Sequence, residues 1–165
     1  MATTIKIAAA LIDDGAGRML LVRKSGTTAY MQAGGKIEPG EHAVDALCRE
    51  LTEELGWSID AGVPVYLGRF TAQAANEPDC CVEADLFQLT ATTPLNAAAE
   101  IAEAIWVSAD QMRALPLAPL TRDEVAPLFE RCLAARNETR GYAWLSRERS
   151  CPTPSRWERC LERPS

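Results

Sequence analysis

Three glutamates, Glu50, Glu53 and Glu54, lie within five residues of one another. In a helix the i, i+3, i+4 spacing places their carboxylates within roughly 100° of arc, and we expect this face to lie opposite the apolar stripe. Two like charges roughly 4 Å apart repel by about 4 kcal/mol at an effective dielectric near 20, so the cluster needs compensation. Mg²⁺ supplies it, because this ion prefers carboxylate and carbonyl oxygens. The alternative is a solvated face on which Arg49 pairs with Glu53 at i,i+4.

The glutamates belong to a longer pattern, which runs from residue 34 to residue 57 and reads GGKIEPGEHAVDALCRELTEELGW. It resembles the signature of the Nudix hydrolases, G-x5-E-x7-R-E-U-x-E-E-x-G-U, in which U is a bulky apolar residue. Every fixed position from Gly35 to Gly56 matches, and Trp57 occupies the last U position. The number of constrained positions makes this pattern far more specific than an isolated glycine-rich loop.

The resemblance implies a role for each charged residue of the motif. Glu53 and Glu54 are expected to be metal ligands, and Glu50 is either a third ligand or the base that deprotonates water. The backbone carbonyl of Gly34 is a further expected ligand, since glycine allows the backbone to approach an ion closely. Arg49 is expected to orient the glutamates through charge-assisted hydrogen bonds.

Three other motif residues are expected to be structural. Gly35 and Gly56 bound the loop–helix–loop segment that the family places here. We place Glu41 in the first turn of the helix, where its charge suits the helix dipole and its side chain braces the preceding loop.

Candidate residues also lie outside the motif. Glu100 resembles the additional acid that family members supply from a later loop, and Glu103 is its nearby competitor. Arg23 and Lys24 end a predicted strand and can reach substrate phosphates, although a solvated strand end explains them equally well. Asn76 lies in a loop that can contact a base or sugar.

The implied activity is a Mg²⁺-dependent pyrophosphohydrolase, with Mn²⁺ as a possible substitute. Such enzymes cleave a nucleoside diphosphate linked to another moiety by attack of water on phosphorus, for which a metal ion neutralises developing charge. One alternative is a nucleotide-binding module of this fold that does not hydrolyse, although every motif glutamate is retained here. Another is an acidic helix with a structural role only, which predicts no dependence of melting temperature on Mg²⁺.

Several residues of this chain differ from the motifs of Nudix subfamilies, and these differences bear on the identity of the substrate. The segment Phe70–Ala74 lacks the proline that marks many ADP-ribose enzymes, and Ala33 stands where many relatives have proline. The front half of the motif, GGKIEPGE, looks like that of the mutator-type triphosphate pyrophosphohydrolases. Their purine-reading asparagine has no match in residues 117–120. A nucleoside triphosphate, ribo or deoxy, is therefore favoured over ADP-ribose.

The elements that position these residues follow from residue patterns. Apolar and β-branched runs predict strands, the first two forming a hairpin, and apolar residues at helical spacing predict a helix over 41–55 whose stripe includes Leu47 and Leu51. The predicted strands are Thr3–Ile12, Arg18–Lys24, Tyr30–Ala33 (stopped by Gly34-Gly35), Val63–Gln73, Val82–Leu89 and Ala104–Val107. This order indicates an α+β chain, and the resemblance implies an α/β/α sandwich around a mixed β-sheet.

A last helix is predicted from residue 121. Thr121 and Glu124 have capping-box spacing, and an apolar stripe follows from Val125 to Leu133. Composition shifts after Arg136. We therefore expect the Nudix domain to span residues 1–136, with residues 137–165 as a weakly ordered or docked tail.

The composition of the chain indicates which binding partners and which cellular compartment to expect. The net charge of −6 disfavours binding to a nucleic-acid duplex, which usually requires a basic face. No targeting or membrane-spanning segment is evident, and the six cysteines contain no C-x-x-C pair, so we expect reduced thiols and a cytoplasmic protein. The expected partner is a small nucleotide, and a homodimer is a family-level expectation.

Overall fold

The computed structural model describes residues 3–142, with side chains through residue 138. Within this range the strands are β1 Thr3–Asp13, β2 Met19–Lys24, β3 Tyr30–Met31, β4 Ala33–Lys36, β5 Val65–Gln73, β6 Cys80–Thr90 and β7 Ile101–Val107. The helices are α1 Ala43–Leu55, α2 Ala109–Met112 and α3 Ala126–Tyr142, with a π-helical turn at Thr121–Val125 before α3.

The sheet is mixed, as predicted. Strand β1 runs parallel to β6 along its whole length and antiparallel to β4 on its other edge. Strand β5 extends the sheet beyond β6, and β2 pairs with both β3 and β7. The β1–β4 pairing sets Gly34 opposite Ala9, so the start of the motif lies beside β1, an interior strand of the sheet.

Both faces of the sheet are covered. Successive residues of β1 point to opposite faces, so Ala8, Ala10 and Ile12 enter one apolar core while Ala9 and Leu11 enter the other. Helix α1 packs on the first core and α3 on the second, which confirms the α/β/α sandwich. The buried core residues of these helices are Ala46, Leu47, Leu51 and Leu55 in α1 and Leu128, Phe129 and Cys132 in α3.

The predicted hairpin is confirmed next to its turn, since β1 and β2 pair antiparallel at Asp13 and Met19. Beyond that pair each strand takes different partners. The prediction that Gly34 and Gly35 stop the extended run is wrong, since β4 continues through both of them to Lys36.

The predicted capping box before the last helix is also wrong. Thr121 begins a π-helical turn whose N-cap is Leu120, and its hydroxyl donates to Gln32 instead of capping a backbone N–H. The apolar stripe itself is confirmed, with Val125, Leu128 and Phe129 fully buried. Helix α3 continues to Tyr142 and so crosses the expected boundary at residue 136. Most of the expected tail, residues 143–165, lies outside the described residues.

The thiol prediction holds in part. Cys48, Cys80 and Cys81 are free, whereas Cys132 is disulfide-bonded, so the expectation of reduced thiols is wrong for Cys132. Among the helices of residues 3–142, none has the length and apolar character needed to cross a membrane.

Candidate active site

Helix α1 carries the motif acids and is bounded by two backbone features. It begins after His42, whose extended backbone forms the N-cap, and ends at Gly56, whose φ of 62° is left-handed. The N–H groups of Gly56 and Trp57 donate to the carbonyls of Thr52 and Leu51, which satisfies the last turn. Glu41 precedes the N-cap, so its predicted place in the first helical turn is wrong.

Glu54 lies on the buried side of α1. It follows Leu47 by seven residues, close to two helical turns, and therefore faces the sheet beside the apolar stripe. Its exposed fraction is 1%, whereas the side chain of Glu53 is 57% exposed. The expectation of three carboxylates on one face opposite the stripe is thus wrong. The three glutamates span the boundary between the buried and the exposed face of α1, with Glu54 on the buried side and Glu53 on the exposed side.

The two carboxylate oxygens of Glu54 have different surroundings. The backbone N–H of Gly34 donates to Oε2 at 3.0 Å. Oε1 is buried and accepts no hydrogen bond from the described residues, with Nζ of Lys24 3.6 Å away. Burial raises the pKa of Glu54 to about 7, against the lowering effects of the Gly34 N–H and of Lys24.

Two glycines of β4 allow the strand and α1 to come close together. Gly34 has a φ of +140°, and a Cβ there would overlap the carbonyl oxygen of Ala8. A Cβ on Gly35 would overlap the carboxylate of Glu50. Position 34 therefore requires glycine, because the overlap there is with backbone. At position 35 the overlapping atoms are the end of the flexible Glu50 side chain, which a larger residue would displace.

Arg49 connects three of the motif acids. Its Nε and Nη2 donate to the two carboxylate oxygens of Glu41 at 3.0 Å each, and Nη1 donates to Glu50 at 2.6 Å. Nη2 also reaches the Lys36 carbonyl, and Nη1 lies 3.9 Å from Glu53. These hydrogen bonds raise the pKa of Arg49, and Arg49 in turn lowers the pKa of Glu41. The guanidinium ties the loop before α1 to the helix itself.

Lys24 is the strand-end cation that the fold brings to the acidic helix. Its Nζ lies 2.6 Å from Glu100 and 3.6 Å from Glu54. Burial disfavours the charged ammonium, but the Glu100 hydrogen bond and the neighbouring carboxylates outweigh this effect and raise the pKa of Lys24. Glu100 therefore lies at the site.

Arg23 and Glu103 form a separate group beside it. The guanidinium of Arg23 donates to Glu103 at 3.3 Å and to the Thr27 carbonyl, and the hydroxyl of Tyr30 donates to the same carboxylate at 2.7 Å. The structure thus brings Lys24 and Glu100 to the acidic helix, and holds Arg23 and Glu103 in contacts with each other.

A pocket of about 180 Å³ opens next to these residues. Lys24, Gly34 and Gly35 line the end nearest α1, and Asn76 lines another part of the wall. Sequence reasoning missed Gln32 in this wall, a buried polar residue between Met31 and Ala33. The sequence signal that would have identified it is a polar residue within an otherwise apolar run.

The acids are not gathered into a closed cage. No three His, Cys, Asp or Glu side chains within the described part of the chain lie close enough together to hold a metal ion. Glu50 and Glu54 face the strand of glycines, and Glu53 faces solvent. This geometry suits an ion that takes one or two carboxylates and completes its shell with water and substrate oxygens, which is the usual behaviour of Mg²⁺.

The fold and the site together define an α+β protein in which an acidic helix borders a small ligand pocket. A NUDIX domain model matches residues 3–132. The chain therefore belongs to the Nudix family, which confirms the predicted membership, the fold class and the assignment as a hydrolase. A comparison with curated proteins found no match.

Solved structures from several organisms share the fold. A MutT protein from Methanosarcina mazei Go1 is 24% identical with a TM-score of 0.64, over 78% of this chain and 94% of that one. The E. coli ORF135 protein is 28% identical with a TM-score of 0.60, over 82% and 93%. A bifunctional NMN adenylyltransferase/ADP ribose pyrophosphatase from Francisella tularensis, complexed with AMP and a Mn ion, is 16% identical with a TM-score of 0.60, over 80% and 43%.

Proposed function

We propose that this chain is a Mg²⁺-dependent pyrophosphohydrolase that cleaves a nucleoside diphosphate linked to another moiety, with a nucleoside triphosphate as the favoured substrate. The observation that supports it best is the buried Oε1 of Glu54, which accepts no hydrogen bond from the described residues. A buried carboxylate oxygen without a donor is unfavourable unless a cation or a proton compensates it.

The donor set fits a hard divalent cation. Glu50, Glu54 and the backbone carbonyl of Gly34 would hold it, and the solvent-facing Glu53 would join them only after its side chain turns toward the ion. Mn²⁺ is expected to substitute, and the Francisella tularensis neighbour was solved with that ion. When bound, the cation would polarise a phosphoryl oxygen and lower the pKa of water.

The remaining charged groups would position the substrate and the acids. The ammonium of Lys24 lies at the pocket end nearest α1, where it can pair with a phosphate oxygen once one enters. Arg49 holds Glu50 against Gly35 and fixes Glu41. Glu50 is thereby kept at the reaction site as a ligand or as the acceptor of the water proton, and Glu100 neutralises Lys24 until substrate binds.

Several finer expectations stay predictions. They include a cytoplasmic location, a homodimer, the role of Asn76 in contacting a base or sugar, and the separation of residues 137–165 as a tail. The absence of a nucleic-acid partner rests on the net charge of −6.

The test is a panel of nucleoside triphosphates and diphosphate-linked nucleotides assayed with and without Mg²⁺, scored by the identity of the products. We expect turnover only with the metal, and a fall of at least about 100-fold in kcat for Glu54→Gln and for Glu53→Gln. Glu130→Gln is the matched control, because it makes the same chemical change on α3, where Glu130 pairs with Arg113. Unchanged turnover in both motif variants would refute the assignment of roles.

The same panel separates the enzyme from a non-hydrolysing nucleotide-binding module. Such a module would bind nucleotides, measured by calorimetry, without releasing any product in the presence of Mg²⁺ or Mn²⁺. Retention of Glu50, Glu53 and Glu54 favours the enzyme.

A further inference from the structure

The pocket beside α1 has one apolar region and one polar end. Its apolar lining includes Ile5 and Ile7 of β1, Val82 of β6 and Leu120, and Lys24 and Gly34 line the end near the acidic helix. At about 180 Å³ it is smaller than the pockets that enclose a drug-sized ligand. It therefore accommodates one flat ring system, while charged groups of the same ligand stay outside near Lys24.

The pocket wall also contains polar residues, among them Gln32, Gln73, Asn76 and Thr121. Gln32 is 6% exposed and lines the pocket. Its Nε2 has no hydrogen-bond partner among the described residues. A buried amide donor without an acceptor is unfavourable in the empty protein, so a ligand that brings an acceptor gains affinity from satisfying it.

The orientation of this amide is set by Thr121. The hydroxyl of Thr121, which is completely buried in the π-helical turn, donates to Oε1 of Gln32 at 2.9 Å. This bond uses the carbonyl side of the amide and leaves the NH₂ side without a partner among the described residues. The two residues lie 89 positions apart in the chain, so the fold has assembled a donor of defined direction within an apolar pocket.

We infer that Gln32, oriented by Thr121, donates a hydrogen bond to the carbonyl oxygen at C6 of a purine or C4 of a pyrimidine base of the substrate. The inference rests on the proposed function, which supplies a nucleotide as the ligand. It makes the substrate class that of oxo-substituted bases, guanine, uracil and thymine, over the amino-substituted adenine and cytosine. An amino group at the same ring position would face the Gln32 donor with another donor, and both would remain unpaired.

The experiment compares kcat/KM within two matched pairs, guanosine with adenosine triphosphate and uridine with cytidine triphosphate. Wild-type enzyme is expected to favour the oxo member of each pair by about tenfold or more. Gln32→Met keeps the length of the side chain without the amide and should remove this preference by slowing only the oxo substrates. Thr121→Val should reduce it partly, because the amide loses its fixed orientation.

A double variant tests whether the effects of the single variants come from a destabilised fold. Gln32→Met combined with Thr121→Val removes both partners of the buried hydrogen bond, so neither is left unpaired. Its melting temperature should stay close to that of wild type, and its kcat/KM values should no longer differ between the two members of each pair. An equal loss on both members of each pair, or a wild-type preference for the amino members, would overturn the inference.

Binding measurements separate this inference from the proposed function. Calorimetry with the four corresponding nucleoside monophosphates requires no turnover. Suppose that no nucleotide is hydrolysed, but that wild type binds the oxo monophosphates more tightly than the amino monophosphates and Gln32→Met does not. The proposed function is then wrong, and the inference that Gln32 binds the base is supported. If wild type binds oxo and amino monophosphates equally and its kcat/KM values within each pair are also equal, the inference fails whatever the activity.

Discussion

The carboxyl group of Glu54 is ionisable and almost completely buried. The sheet beneath α1 removes water from this group, and the single N–H of Gly34 does not replace it. The charged form is therefore disfavoured, which is why its pKa rises from 4.5 to about 7. A residue suited to bind a cation thus weakens the fold when the cation is removed and the pH is high.

Glu54→Gln tests this effect in protein freed of metal by EDTA. Because the folded-state pKa is raised, the stability that the protonated carboxyl contributes is fully present below pH 4.5 and is lost as the pH rises through about 7. Relative to wild type, the variant should therefore gain about 2 kcal/mol of unfolding free energy between pH 5 and pH 8. Urea denaturation at both pH values measures the change.

Glu53→Gln is the control for that comparison. It makes the same substitution one residue earlier, on a side chain that is 57% exposed. Its effect on metal-free stability should stay within about 0.5 kcal/mol at both pH values. A Glu54→Gln variant whose relative stability does not change with pH would contradict the raised pKa.

Arg49→Lys tests the positioning of the acids by a planar guanidinium. Lysine keeps the charge but cannot bridge Glu41 and Glu50 at once, since it lacks the fork of donors. We expect kcat to fall about 10–100-fold, the Mg²⁺ concentration for half-maximal activity to rise, and the KM for nucleotide to stay nearly constant. Arg113→Lys, in an exposed ion pair with Asp110 and Glu130, should change none of these values.

At the level of elements, the site depends on how closely α1 approaches β4. The N–H of Gly34 reaches Glu54, and the backbone of Gly35 touches Glu50, so two successive residues of the strand each contact one acid of the helix. Neither contact survives if the strand moves outward by the width of a methyl group. The glycine pair in the motif is thus explained by packing as well as by access of the backbone to an ion.

Gly34→Ala should accordingly destabilise the fold strongly. The new Cβ would overlap the Ala8 carbonyl in the β1–β4 ladder, and alanine would also adopt a φ of +140°. We expect a loss of at least about 3 kcal/mol, measured by urea denaturation. Gly40→Ala separates the two causes, because Gly40 also has a positive φ, of 82°, but has no atom within 4 Å of an added Cβ. It should cost only about 1 kcal/mol; equal losses would show that steric overlap is not the cause.

At the level of the whole molecule, binding of the metal ion is linked to folding. Glu50, Glu54 and Gly34 come together only in the folded chain, so an ion that binds there stabilises the native state. Mg²⁺ at about ten times its Kd should raise the melting temperature by roughly 3–6 °C in wild type. Glu54→Gln should show a much smaller rise at the same concentration, measured by calorimetry. No shift in wild type would favour an acidic helix with a structural role only.

Much of the site was predictable because its parts are close together in the chain. The motif spacing identified the family and placed Arg49 and the glutamates on one helix, since the period of a helix is a local property. The apolar and β-branched run of β1 likewise indicated a strand, and the stripe of α3 indicated a helix with one apolar face. The capping-box prediction at Thr121 was wrong because it, too, used only neighbouring residues. Such a local pattern carries no information about a distant hydrogen-bond partner such as Gln32.

Which acids are buried, and which polar groups meet, followed from packing between distant segments. Glu54 and Gly34 are 20 residues apart, Lys24 and Glu100 are 76, and Gln32 and Thr121 are 89. Their contacts depend on the pairing of β1 with β4 and β6 and on the approach of α1 and α3 to opposite faces of that sheet. Residue types and spacing therefore specified the chemistry that the helix can carry. Long-range packing decided which carboxyl group is buried and which amide lies in the pocket wall.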